Sequence, residues 1–385
     1  MYVTRRLSTL RRSPSAGSLA TEGPTSGFLV IQDEEAEAEQ PTLCFGLCKD
    51  DSLNELPFPQ NKELTVHYSS DDDDVDLVPV LNQPLSSNTY YAIEPHGRHK
   101  GEAYASNDEE ETTGCCTGGI KDAKPRPLDP YDVYQQFEIC SYQGNKFYAK
   151  SIVADAYPPN FLRRKGWTIG TRTSKNYELG EAQGLDASLR ACLPDFNFPL
   201  SRKDSGAVVV GRWYCPFMFI KDGQLKEQKQ RSMYYEIILE QQWEQIFSCE
   251  NGFGSGRIVA VDVVVQKEAV VINGEAMILD GRNVVDGVMW FRRCSDGGDI
   301  ATPVGLHMAI VERMKWEQEG FGWVKAADTQ EWENVKREEE FGGTGEWRKF
   351  GCYVLVERYV VKRMDGSLLL NYNFKHTNQI RSKWE

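Results

Sequence analysis

Catalytic and membrane signatures are scarce in this chain. Histidine occurs five times in 385 residues. There is no His-Glu-x-x-His, no Gly-x-Ser-x-Gly elbow and no Walker or kinase signature. The recognisable zinc proteases, α/β-hydrolases, P-loop NTPases and kinases are therefore set aside. No run approaches the roughly 20 apolar residues of a membrane-spanning helix. Neither an Asn-x-Ser/Thr sequon nor an N-terminal apolar stretch is present. The ten cysteines then read as reduced thiols of the cytosol or nucleus. Positive charge is also in deficit. Forty-four Lys and Arg face 57 Asp and Glu, for a net charge of −13. Nucleic-acid affinity rests on cations displacing counterions, so no nucleic-acid partner is expected.

What is present is β-forming. Seventeen Tyr, 17 Phe and 9 Trp within a 40 % hydrophobic chain describe a folded protein with large cores. The run Cys352 to Phe374 reads as two long strands closed by a two-residue type I′ turn at Asp365-Gly366. Asn273-Gly274 carries the same turn chemistry. Gln143-Gly144-Asn145 sits between Phe137 to Cys140 and Lys146 to Ile152 as another hairpin. Ile238 to Gln245 resembles Ile310 to Gln318, each holding a Trp-Glu-Gln, and each is followed by a long strand and an Asn-Gly or Asp-Gly turn. This pattern predicts an internal duplication, with both Trp-Glu-Gln segments as strands. The least β-like part is 158–200, where Leu185 to Leu193 reads as a helix capped by Asp186 and ended by Pro194.

The expected fold class is mainly β, a β-rich α+β protein of antiparallel, sandwich-like modules with a few short helices. Residues 1–26 form a flexible basic arm, holding four Arg and no acid before Glu22. Residues 27–206 form a β-rich domain with acidic loops near 33–41, 69–76 and 101–123. Two β-modules follow, 207–285 and 286–385. The arm has the composition of a transit peptide, but the reading prefers cytosol or nucleus to an organelle.

Candidate sites are few. His96, Arg98, His99 and Lys100 form the densest positive cluster with histidines and suit an anionic ligand at a hairpin tip. Cys115 and Cys116 lie on an exposed loop, where reversible lipidation and peripheral membrane contact are an option. Cys44 and Cys48 with that pair make no zinc set of regular spacing, so no metal is expected. The Gly-rich run from Asn251 to Gly256 precedes a strand, not a helix, and reads as a connection. His307 and His376 stand alone and read as structural residues. No catalytic residue and no cofactor is assigned. Aromatic residues on sheets belong mostly to cores, although such faces also bind sugars or apolar ligands.

Several motifs resemble a plant family catalogued as domain of unknown function 1262. They are Met1-Tyr2-Val3-Thr4-Arg5, SGFLVIQDEE from Ser26, CFGLC from Cys44, LPFPQNK from Leu56 and QPLSSNTYYAI from Gln83. KPRPLDP from Lys124, GRWYCPFMF from Gly211 and the tail from Phe350 complete the set. Arg6 departs from the Pro of the opening motif. The resemblance implies a plant intracellular protein and supplies no reaction. The expected function is a non-enzymatic β-rich binding or scaffold protein with an unknown protein or small-molecule partner. The alternatives are a membrane-peripheral stress- or defence-related protein and an enzyme of unrecognised type.

Overall fold

The computed structural model describes residues 1–39, 42–43, 48–49, 52–68, 71–108, 121–252, 256–279, 283–293, 303–322 and 331–385. Its spine is a 13-stranded sheet. Three long strands, Tyr234–Glu250, Lys349–Arg363 and Leu368–Trp384, lie side by side and antiparallel at its centre. Lys349–Arg363 is buried from Phe350 through Glu357, because both sheet faces are covered there. Valine and aromatic residues dominate it, as a strand packed on both sides requires.

Two further four-stranded sheets share a separate core. One runs Lys146–Ser151, Gln136–Tyr142, Thr89–Ile93, Asp76–Pro79; the other Ser52–Leu53, Thr168–Thr173, Lys62–Tyr68, Asp71–Asp74. Phe58, Tyr90, Phe137, Phe147 and Trp167 fill the space between them. The fold is thus β-rich and antiparallel, as expected, with short helices added. The helix Ala187–Cys192 is capped by Asp186, whose side chain accepts from Leu189 N at 2.8 Å.

Four expectations are corrected. Residues 1–26 are not a flexible arm. Tyr2–Arg6 enters the large sheet parallel to Gly27–Ile31 and antiparallel to Val208–Pro216, and Tyr2 and Val3 are buried. The basic composition hid an apolar start, Met1-Tyr2-Val3, which supplies the buried end of the strand. Second, the duplication is not structural. Ile238 to Gln245 is strand, whereas Met308–Gly320 is a helix. Its buried residues Ile310, Met314, Glu317 and Gln318 recur at helical spacing, and His307 caps it by accepting from Ala309 N at 3.2 Å. Trp243 is buried and donates to Pro194 O at 2.9 Å, while Trp316 is 39 % exposed beneath Arg313.

Third, 207–285 and 286–385 are not separate modules, because their strands alternate within one sheet: Ile220–Asp222 pairs with Val304–His307, and Glu268–Ile272 with Leu368–Trp384. Fourth, the Asp365-Gly366 corner has three loop residues. Gly366 N donates to Arg363 O and Arg363 N to Ser367 O, each at 2.9 Å, and only Gly366 takes positive φ. That is a type I turn with a following bulge. Asn273-Gly274 is the expected type I′ turn, with φ of 51° and 82°. Two acidic stretches are also more ordered than loops. Glu34–Ala38 is a helical turn capped by Asp33, where carboxylates suit the N-terminal dipole, and Asp71–Asp74 is a strand on Lys62–Tyr68.

A buried charge network ties the long helix to the sheet. Arg190 donates to Glu357 through Nε (2.7 Å) and Nη2 (2.5 Å), with both side chains 0 % exposed. Gln241 adds a bond to Glu357 at 2.8 Å, and Glu317 lies 3.6 Å from Arg190 and pairs with Arg313. Burial alone would raise the Glu357 carboxyl, but the Arg190 bonds and charge hold it below the usual carboxylate range.

Candidate ligand cleft

A cleft of about 250 Å³ opens where the small sheets meet the large one. One wall comes from Gln60, Lys62 to Thr65 and Asp74 to Val78; the other from Pro216 to Met218, Lys229, Met233 and Tyr234. Tyr177 comes from the connecting segment, Pro95 is a buried part of the lining, and the exposed Arg172 and His96 stand at the mouth. Asp74 ends one strand and Asp76 begins the next, which belongs to the other small sheet; Val75 between them is buried in the core that the two sheets share.

Charges in the cleft occur as pairs. Lys229 Nζ lies 2.7 Å from Asp76, Arg172 Nη2 2.5 Å from Glu63, His96 Nε2 3.3 Å from Asp74, and Lys62 Nζ 2.5 Å from Glu37. Thr65 donates to Asp74 at 3.2 Å. Lys229 also stands 5.0 Å over the Phe217 ring. The Tyr177 and Tyr234 rings meet at 5.2 Å and 59°. Burial, then the nearby Asp76 carboxylate, push the Tyr177 hydroxyl up; burial, Tyr177 and Asp76 do the same for Tyr234. Both therefore remain protonated, able to donate as well as accept.

The segment carrying His96 to Lys100 is a hairpin tip, closed by Gly101 N donating to Glu94 O at 2.7 Å. It divides the four residues. His96 enters the cleft wall. Arg98 is exposed and His99 turns to Glu102 at 2.7 Å. Lys100 lies near Lys229 and Lys226; burial first, then those two charges, lower its ammonium. Gly101 has φ of 80°, and a Cβ there would sit 2.4 Å from Leu225, so the tip is wedged onto the helix Leu225–Arg231.

Residues 22–117 match DUF1262. The family's description is a protein of unknown function. The DUF1262 stretch supplies the wall from Gln60 to Val78 and the His96 tip, while Tyr177, Lys229 and Tyr234 lie beyond it. Among the curated proteins none matches. Among solved structures, the crystal structure of Cry35Ab1 aligns over 85 % of this chain and 90 % of its own, at 11 % identity and a TM-score of 0.45. A likeness this slight decides neither fold detail nor function.

Cys115 and Cys116, the lipidation candidates in the DUF1262 stretch, lie outside the described residues, as does Cys44. Among the described residues no three His, Cys, Asp or Glu are grouped to hold a metal, and no helix is long and apolar enough to cross a membrane. A second hollow lies between Leu7, Leu10, Pro14 and the residues Ser52 to Pro57 and Pro59, but Arg11 in its lining is held by Glu39 and Glu55, and no aromatic residue lines it among the described residues. Sequence reasoning missed Tyr177, Tyr234, Asp76 and Lys229. Their proximity spans up to 158 residues of chain, Asp76 to Tyr234, and only the tyrosines' aromatic character pointed to them.

Proposed function

We propose that this is a non-enzymatic binding protein that holds a small polar ligand in the cleft between its sheet bodies. The observation behind it is convergence. Paired charges and two tilted tyrosines line one concave space, the usual form of a small-molecule site: an apolar wall with a few placed polar groups. The scaffold reading of the long sheet is compatible with this, since it holds one wall rigid. We place the protein in the cytosol or nucleus of a plant cell, on the family resemblance and a sequence whose ten cysteines read as reduced thiols and which has no sequon.

The test is thermal unfolding against a panel of small polar metabolites, in wild type and Tyr177→Ala. A ligand at 100 times its Kd adds about 2.7 kcal/mol to stability. The reading expects a concentration-dependent rise in wild type that the variant loses. No rise with any compound, or an equal rise in both proteins, contradicts it. Turnover of a bound compound, lost in His96→Ala, would move the protein to the enzymes, because His96 beside Asp74 is the one histidine lining the cleft among the described residues.

A further inference from the structure

We propose that the cleft takes a neutral polyhydroxylated ring, a single sugar or one end of a disaccharide. This rests on reading the cleft as a ligand site and narrows its chemistry. The first argument is charge. Lys229, Arg172, His96 and Lys62 each already face a carboxylate at 2.5–3.3 Å. For Lys229–Asp76 and Lys62–Glu37, whose side chains are at most one-third exposed, an anionic or cationic ligand would have to displace one partner and leave the other unmatched in a partly desolvated space, which is costly. A neutral hydroxyl makes no such demand. Each carboxylate keeps spare lone pairs, and each guanidinium or ammonium keeps spare N–H groups, so hydroxyls add to the pairs without breaking them.

The second argument is the shape of the polar and apolar surfaces. A sugar ring has hydroxyls around its rim and C–H groups on its faces. The cleft lining supplies both kinds of group: Glu63, Asp74, Asp76 and Arg172 for hydroxyls, and the Tyr177–Tyr234 pair with Met218 and Met233 for C–H faces. The third is size. About 250 Å³ falls below the roughly 300–1,000 Å³ of sites for drug-sized ligands. One ring fits, and a second would lie at the open mouth beside Arg172, whose side chain is 81 % exposed.

Calorimetric titration of the full chain decides it, with three probe sets: glucose, galactose, mannose and xylose with cellobiose and lactose; glucuronate, galacturonate and glucose 6-phosphate; and glucosamine. Wild type should bind a member of the neutral set. Asp76→Asn frees Lys229 from its carboxylate; the neutral sugar should weaken about tenfold, as for loss of a charged hydrogen-bond partner, and an acid of the second set should gain. Arg172→Gln, at an exposed position, keeps the question open if Asp76→Asn does not fold; it should raise the affinity for glucosamine relative to glucose. Binding of charged probes alone to wild type overturns the neutral-sugar inference and leaves the cleft as a ligand site. Neutral-sugar binding undiminished in both Asp76→Asn and Tyr177→Ala puts the sugar elsewhere and overturns the inference too. No binding by any probe overturns the inference, and the metabolite panel then decides the cleft reading separately.

Discussion

Arg190→Met is the sharpest perturbation of the fold. Arg190 and Glu357 come from segments 167 residues apart, and both side chains are fully buried. Removing the guanidinium leaves Glu357 with Gln241 at 2.8 Å and His376 at 3.9 Å but without its bidentate partner. Breaking one side of a buried pair costs about 3–5 kcal/mol, a large share of a typical stability of about 5–15 kcal/mol. In wild type Arg190 outweighs burial and keeps Glu357 ionised. In the variant burial wins and raises the carboxyl, so the native state binds the proton more tightly than the unfolded chain. The variant's deficit should therefore be largest near pH 7.5 and shrink toward pH 5.5. Arg190→Met with Glu357→Leu removes both charges and should recover most of the loss. Urea unfolding of wild type, single and double variants at both pH values reads this directly. A single-variant cost under about 1 kcal/mol, or a double variant no more stable than the single, refutes the argument that an unmatched buried charge is what hurts.

Three further outcomes are expected. His307 and His376 are each lowered to about 4, chiefly by burial, then by the charge of Lys221 for His307, while Glu357 partly opposes the shift at His376. The unfolded chain takes up those protons near pH 6.5 and the native state does not, so stability falls from pH 6.5 toward 4 by up to about 1.4 kcal/mol per pH unit for each; a His307→Asn, His376→Asn variant that keeps the wild-type slope in urea midpoints would contradict this. Gly101→Ala meets both a positive φ and Leu225, and should cost about 1–3 kcal/mol and lower the melting temperature; an unchanged melting temperature would show that the tip is not wedged on the helix Leu225–Arg231. If the protein works as a binding protein in solution, Cys115→Ser with Cys116→Ser should leave its partition between soluble and membrane fractions unchanged; release from a membrane fraction would favour lipid anchoring.

Local chemistry was legible where one short stretch decides the structure. Asn273-Gly274 and Gln143-Gly144 need only their own left-handed tolerance, and the Asp186 cap needs only the next three residues. The Val- and Tyr-rich run from Cys352 became the sheet's central strand for the same reason. What failed depended on partners far away. Tyr2–Arg6 looked basic and mobile because its pairing partners, Gly27–Ile31 and Val208–Pro216, lie up to about two hundred residues on. Ile310 to Gln318 shared letters with a strand, yet Ile310, Met314 and Gln318 carried a four-residue spacing that outweighed the Trp-Glu-Gln likeness. The cleft was legible only at His96. Asp76, Tyr177, Lys229 and Tyr234 have no common local pattern; folding brings them to one place.

The most direct test of the ligand cleft uses its own methionines. Met218 and Met233 line it, whereas Met289 and Met314 lie in the main core outside its walls. With methyl-labelled methionine, titration of the best neutral saccharide should move the Met218 and Met233 resonances in a saturable way and leave Met289 and Met314 in place. Saturable shifts confined to Met289 or Met314, or none at Met218 and Met233 while calorimetry reports binding, would contradict the site.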